Sequence, residues 1–261
     1  MAVVQQSATE ASGARLFSGR VAIVTGGTRG IGAAITRELA ALGAHVAAGY
    51  HRDADSAVQL QDELTAQGAS ISVHQGNVGV ADDCRRVVDE VLASHGQVDF
   101  LINNAGITLD KTVRKMSVED WHAVMQINVS GAFYMVKAVL DHMLERGSGR
   151  IVNLSSVIGQ TGNIGQANYA ASKAALVGFT QSLALETARK GITVNCVAPG
   201  FIATEMVAAI PQGILDGIID KVPMHRLGRP EEVARVVRFL LEDDSSYITG
   251  ALYTVNGGMF T

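Results

Sequence analysis

Arg20-Val-Ala-Ile-Val-Thr25-Gly26-Gly27-Thr28-Arg29-Gly30-Ile31-Gly32 decides the fold. A short apolar run of strand length ends in a glycine-rich turn, and an apolar pattern of helical period follows from about Gly30 to Leu42. Gly26, Gly30 and Gly32 are spaced Gly-x-x-x-Gly-x-Gly, a longer turn than the dinucleotide-binding Gly-x-Gly-x-x-Gly. The demands met are the same: a tight turn, close approach of a phosphate, and close packing of helix on strand. Backbone N–H groups at a helix N-terminus suit a pyrophosphate.

Working outward, strand-length runs alternate with helical segments. His45–Tyr50 precedes a helix from about Asp53 to Ala66, and Ser70–His74 precedes one from Ala81 to His95. Val98–Ile102 leads to a long helical stretch from about Val118 to Glu145, and Gly149–Leu154 to a helix near Tyr169–Arg189. Thr193–Val197 and a final strand near Ala251–Val255 complete the series. Such alternation predicts an α/β fold, one doubly wound parallel sheet of Rossmann type with helices on both faces. That domain spans 16–261, behind a polar, Ala/Ser-rich N-terminal tail, 1–15, expected to be flexible and lacking the apolar core of a secretory signal. Ala203–Pro223 interrupts the alternation with short helical patterns and reads as a mobile cap.

Composition narrows the function. The 261 residues are 48% hydrophobic and 18% charged, with net charge −4, so no basic face for nucleic acid is implied. No run of about 18 apolar residues predicts a membrane span. Cys84 and Cys196 lie far apart without metal-ligand spacing and read as reduced, buried thiols of a cytoplasmic protein. The seven histidines share no ligand spacing, so no metal is expected.

In doubly wound sheets ligands bind beyond the carboxyl ends of the strands. Gly26 follows the first strand, Asn103-Asn104-Ala105-Gly106 the fourth, Ser155-Ser156 the fifth and Pro199-Gly200 the sixth. Tyr169 and Lys173 are four apart, hence on one helix face. An adjacent ammonium favours phenolate and is expected to lower a tyrosine pKa from about 10. The second strand ends in Tyr50-His51-Arg52, with no acid to take ribose hydroxyls; Asp53 comes late. Arg52 and Arg29 can instead pair with a 2′-phosphate, which points to NADPH. Lys111, Arg114 and Lys115 follow the Asn-Asn-Ala-Gly turn and are candidates for steering an anionic substrate.

From about Gly19 to Gly258 the chain resembles the short-chain dehydrogenase/reductase family. The resemblance rests on the Thr25–Gly32 turn, Asn103–Gly106, Asn128 in Ile-Asn-Val-Ser, Ser156, Tyr169-x-x-x-Lys173 and Pro199-Gly200. It implies a catalytic tetrad of Asn128, Ser156, Tyr169 and Lys173. Tyr169 would act as general acid in reduction, Ser156 would fix and polarise a carbonyl, Lys173 would tune the phenol and bind the nicotinamide ribose, and Asn128 would hold a water in a proton path. It implies cofactor contacts at Gly26, Thr28, Arg29, Gly30, Ile31, Gly32, Asn104, Ala105, Gly106, Tyr169, Lys173, Pro199, Gly200, Ile202 and Thr204, with adenine against Val78 and Asn77; the family usually has Asp where Asn77 stands. An amide can still donate and accept at the adenine edge.

Gly162–Lys173, Ala198–Thr204, Tyr247–Gly250, Val255–Gly258 and Asn104–Met116 are similar to the family's 3-oxoacyl-(acyl-carrier-protein) and acetoacetyl-CoA reductases. This implies NADPH-dependent reduction of a 3-oxoacyl thioester, carried on coenzyme A or acyl-carrier protein, to the (R)-3-hydroxyacyl product by a homotetramer. Reduction of another ketone, such as a sugar, steroid or diketone, stays open, because the tetrad is silent on substrate. A nucleotide-responsive binding protein on the same fold would have no need of Ser156, Tyr169 and Lys173, and all three are present.

Overall fold

The computed structural model describes residues 15–208 and 212–260. All but Arg15 of the expected tail, and residues 209–211 of the expected cap, lie outside them. Strands β1 Val21–Val24, β2 His45–Tyr50, β3 Ile71–Gln75, β4 Phe100–Asn103, β5 Gly149–Leu154, β6 Ile192–Pro199 and β7 Leu252–Val255 form one parallel sheet, in the order β3-β2-β1-β4-β5-β6-β7. This is the doubly wound α/β fold expected. The chain runs outward from β1 to β3 and then crosses back to β4, which makes the gap between β1 and β4 the switch point.

Strand side chains alternate between two cores. Ala22 and Val24 of β1 face one, with residues of α1 Gly30–Ala41, α2 Ala54–Ala66 and α10 Pro230–Leu241. Val21 and Ile23 face the other, with residues of α3 Ala81–His95, α5 Gly131–Arg146 and α7 Ala167–Thr187. The remaining α-helices among the described residues are α4 Val118–Met125, α6 Ile158–Thr161, α8 Glu205–Ala208 and α9 Gln212–Ile219. Buried Asp99 ties one end together, accepting from Val21 N at 2.8 Å and pairing with Arg146 at 3.0 Å.

Four features depart from or add to the sequence reading. α10 was not anticipated, although Pro230 in its first turn, Glu231 and Glu232 after it, and buried Val233, Val237, Leu240 and Leu241 are the marks of an amphipathic helix. The single helix expected over 118–145 is two, α4 and α5, joined by a π-helical turn, Gln126–Ser130, that holds Asn128. That joined segment, Val118–Arg146, is also long and apolar enough to cross a bilayer (mean hydropathy 1.3), because polar Gln126, Asn128 and Ser130 interrupt the run without lowering its mean much. Its Met135, Val136, Val139 and Met143 pack in the core. The cap contains α8 and α9, and α9 buries none of its residues.

The histidines are not all scattered. His45 stacks on His95 with ring centroids 3.7 Å apart. It also hydrogen-bonds Ser70 (2.7 Å) and Ser72 (3.0 Å), and Ser72 continues to His74 (2.9 Å) and His74 to Glu90 (2.9 Å). Among the described residues no group of three or more His, Cys, Asp or Glu is arranged to hold a metal ion. Burial, then the neighbouring His95 and His74, hold the His45 pKa down to about 4, against the ordinary 6.5. Below about pH 6.5 the unfolded chain therefore takes up a proton at His45 that the folded chain refuses. The stability is complete above that pH and is lost as pH falls towards 4. Thermal melts at pH 7 and pH 5 should differ, with His45→Asn losing roughly 2–4 °C less over this range than the parent, for about 1 kcal/mol once partial exposure is allowed for. Equal losses in parent and variant would remove His45 from the acid response.

Candidate active site

At the switch point the turn after β1 meets the turn after β4. Gly26 (φ +60°) and Gly30 (φ +53°) adopt left-handed conformations that side chains disfavour. A Cβ on Gly32 would lie 2.0 Å from the Gly26 carbonyl oxygen, so only glycine lets α1 start against the turn. Asn104 Nδ2 donates to the carbonyls of Thr25 (2.9 Å) and Gly26 (3.0 Å), and the Thr25 hydroxyl accepts from Asn104 N and Ala105 N, both at 3.0 Å. Thr204 closes the other side, its methyl 3.4 Å from where a Gly30 Cβ would stand.

Arg52 and Asn77 line an open cavity of about 480 Å³ with Gln75, Asp83 and Arg86. Arg29 and Arg52 are exposed, and among the described residues neither is in an ion pair. Asp53 is spent locally as the N-cap of α2: its carboxylate accepts from Ser56 N (3.1 Å) and Ser56 Oγ (2.8 Å). Those bonds, and more weakly the charge of Arg29, hold its pKa down. Asn77 Oδ1 accepts from Gly79 N at 3.0 Å, and Val78 packs on Gly131 at the start of α5. Two free guanidiniums, a glycine turn at a helix start and an amide-lined cavity are a donor set that fits a phosphorylated dinucleotide.

The tetrad candidates converge beside this cleft. Lys173 is buried and its Nζ donates to the Leu154 carbonyl at 2.7 Å. Gly106 is a close neighbour: its Cβ position is 3.3 Å from both Lys173 Nζ and Asn128 Oδ1. Buried Asn128 accepts from Ile107 N (2.8 Å) and donates to Ile107 O (3.0 Å) and Ser172 Oγ (2.9 Å), which clamps the loop after β4. Ser156 Oγ accepts from Ile158 N at 3.2 Å where α6 begins. Pro199 O accepts from Val157 N at 2.8 Å, and Gly200 runs so close to Asn256 that a Cβ there would be 2.8 Å from its Cα. Thr28 and Ile202 are buried, Ile202 within the core, while Ile31 is half-buried against that core.

The electrostatics correct one expectation. The Tyr169 phenol lies above its ordinary value of 10, raised mainly by burial, opposed by Ser156 and raised further by the Asp110 carboxylate. Lowering by Lys173 is not found: Nζ stands 5.6 Å from the ring centroid and is bonded to a carbonyl. Burial brings the Lys173 ammonium itself down to about 8. Lys111 is likewise not a free steering charge, because it pairs with Asp120 at 2.7 Å. Residues to which the sequence reading gave no role of their own are Thr25, Asn168 and Ser172, which lie inside quoted motifs, and Asn153, which carries no signal without the fold.

A phenol, a hydroxyl and an ammonium beside a dinucleotide-type turn are the groups an oxidoreductase of the doubly wound class would use. The chain belongs to the short-chain dehydrogenase/reductase family. A family profile described as enoyl-(acyl carrier protein) reductase matches residues 26–260. Acetoacetyl-CoA reductase of Shinella zoogloeoides is 48% identical over 242 residues, 92% of this chain and 98% of that protein. The acetoacetyl-CoA reductase of Cupriavidus necator is 47% identical over 240 residues, with the same two shares. The 3-oxoacyl-[acyl-carrier-protein] reductase FabG of Escherichia coli is 45% identical over 244 residues, 94% of this chain and 98% of that protein.

Gly32→Ala should weaken binding of the nicotinamide cofactor more than tenfold, because the turn must open to admit the methyl group. Titration of reduced-nicotinamide fluorescence checks this, and an affinity equal to the parent's would show that the turn does not govern the cofactor site.

Proposed function

We propose that the protein reduces a 3-oxoacyl thioester to the (R)-3-hydroxyacyl thioester with NADPH. The observation that carries the reading is the convergence of Ser156, Tyr169 and Lys173 on one cleft, in a chain 45–48% identical to proteins named for this reaction. Arg29 and Arg52 would hold the 2′-phosphate, Asn77 and Val78 the adenine, and the Gly26–Gly32 turn with Thr28 and Ile31 the pyrophosphate. Asn104, Ala105, Gly106, Pro199, Gly200, Ile202 and Thr204 would line the rest of the cofactor cleft. When bound, the reduced nicotinamide supplies a hydride to the carbonyl carbon.

The chain's own groups manage the oxygen. Negative charge grows there as the carbon is reduced, and the Ser156 hydroxyl donates a hydrogen bond to it. Tyr169 delivers the proton; with its pKa above the ordinary value, the phenol is protonated throughout the neutral range and ready as an acid. Lys173, with a pKa of about 8, is still largely charged at pH 7 and stabilises the phenolate left behind. Asn128 keeps Gly106 and Ile107 in place beside that lysine and is the candidate holder of a proton-path water. A phenol–hydroxyl pair suits an oxygen borne by the carbon that takes the hydride, as in a 3-oxoacyl thioester; in an enoyl thioester, named in the profile's description, hydride goes to the β-carbon and the charge to the thioester oxygen further along.

On the substrate side Arg114 and Lys115 are exposed near the mouth and remain the residues to steer an acidic carrier or a phosphopantetheine thioester. A homotetramer is supported by exposed Phe133 on α5, Leu185 on α7, Phe239 on α10 and Tyr247 before β7, apolar surface that association would cover. Buried, unpaired Cys84 and Cys196 accord with a cytoplasmic setting.

NADPH consumption should be rapid with acetoacetyl-CoA, longer 3-oxoacyl-CoA esters or a matched acyl-carrier-protein thioester, and negligible with crotonyl-CoA, a diketone or a steroid ketone. Preference for one of the last three would overturn the substrate class. Tyr169→Phe should cut turnover by roughly 10²–10⁴ while leaving NADPH affinity within a few fold; wild-type turnover would refute the acid assignment. Arg52→Asp should move preference towards NADH, read as the ratio of kcat/KM for the two cofactors, and an unchanged ratio would free Arg52 of any part in phosphate recognition.

A further inference from the structure

The approach to Tyr169 is a glycine-rich turn. Gly162 (φ +70°) and Gly165 (φ +83°) are in left-handed conformations, and Ile164 between them is 92% exposed. Gln166, the residue before α7, makes no side-chain cap to the helix. Tyr169 N lies in the first turn, where backbone N–H groups have no intrahelical partner. Without an anchor this turn would fray, and the phenol would move with it.

Asn168 supplies the anchor. It is fully buried, and its carboxamide reaches three elements. Oδ1 accepts from Tyr169 N at 2.8 Å, and Nδ2 donates to the Leu109 carbonyl (3.1 Å) in the loop after β4 and, at 3.5 Å, to the Asp120 carbonyl in α4. Two further bonds run parallel to these: Lys111 N donates to Gly165 O at 2.8 Å, and Gln166 Nε2 to Asp110 Oδ2 at 2.9 Å. The loop beside the reacting centre is thus strapped to the chain entering α7, with the one fully buried side chain of the strap directly before the catalytic tyrosine.

We propose that Asn168 is a positioning residue, which holds the phenol of Tyr169 against Ser156 by pinning the first turn of α7 to the loop at Leu109. The role rests on the reading of Tyr169 as general acid. It predicts a defect in the chemical step rather than in cofactor binding, since Tyr169 is the one cofactor cleft residue that the strap touches, and it touches it through the backbone N–H. It also predicts a change in acidity: the Tyr169 phenol is raised chiefly by burial and further by the carboxylate of Asp110, which is in the strap, so releasing the loop relaxes both influences.

The test compares Asn168→Ala, Asn168→Asp and Tyr169→Phe, with acetoacetyl-CoA as substrate and thermal melts of each. Asn168→Ala should lose roughly 10–100-fold in kcat, the cost of a displacement of about an ångström, with NADPH affinity within twofold. The alkaline limb of its kcat–pH profile should move to lower pH. Asn168→Asp keeps the acceptor for Tyr169 N but sets a negative charge against two carbonyls; on protonation it regains a donor. Its activity relative to the parent should therefore recover as pH falls. If the alanine variant does not fold, this recovery alone decides. Parent kcat and pH profile in Asn168→Ala, or no acid recovery in Asn168→Asp, would overturn the role, as would kcat, NADPH affinity and melting temperature falling together. An active Tyr169→Phe would instead overturn the acid reading and the proposal with it, whereas an inactive one beside an unaffected Asn168→Ala would remove Asn168 alone.

Discussion

The Thr25 hydroxyl holds the site together. It accepts from Asn104 N and Ala105 N, and its own backbone N–H donates to Ile102 O at 3.0 Å, so β1, β4 and the turns after both are joined at one residue. A parallel sheet puts all carboxyl ends on one edge, but it does not say how far apart the loops there stand. Thr25 sets that distance at the switch point. The consequence passes along the chain: Ala105 is held against Gly26, Gly106 then runs close to Lys173 Nζ and Asn128 Oδ1, and Asn128 grips Ile107 on both its backbone groups. The glycine turn after β1 and the Asn128–Lys173 wall are therefore parts of one strip of close contacts and hydrogen bonds.

Within that strip, burial separates the two titrating groups in opposite senses. The phenol goes up and the ammonium goes down, each chiefly because the charged form loses water. A buried ammonium is costly unless it finds an acceptor, and the Leu154 carbonyl provides one at 2.7 Å. The pair is left with a proton on the phenol and a lysine near the edge of neutral titration, the charge state that a reductase needs before the carbonyl is attacked.

Much of this was legible in the sequence, for definite reasons. Alternating strands and helices specify a parallel sheet, and glycines between strand and helix specify its ligand edge; both are local patterns. Arg29 and Arg52 stood out because no acid ended β2, and the structure adds why Asp53 is no substitute: it caps α2. Other features come from contacts between distant elements. His45, His74 and His95 have no common spacing, yet β2, β3 and α3 bring them together. The π-helical turn at Asn128 changes hydrogen bonding without changing apolar periodicity. The Tyr169–Lys173 spacing reveals that the two share a face, but neither the burial that raises the phenol nor the carbonyl that holds the ammonium.

α7 shows why such positioning relies on directional bonds. Its buried N-terminal residues include Asn168, Ser172 and Lys173, with Thr180 further along, where an ordinary core helix would present apolar side chains. Each is satisfied: Ser172 receives a bond from Asn128 and donates to Tyr169 O (2.7 Å), Thr180 receives one from Asn153 (2.9 Å), and Ser155 Oγ donates to the Lys173 carbonyl (2.7 Å). Apolar packing tolerates a small slide or rotation of a helix, since most contacts can be exchanged for similar ones. A set of buried hydrogen bonds does not, because a shift that breaks one leaves its partners unpaired in a medium that penalises each of them. The register of α7 against β5, the loop at Leu109 and the turn at Asn128 is therefore fixed largely by polar contacts, with Leu176 buried beyond them, and Leu183 and Ala184 join the apolar core in its C-terminal half.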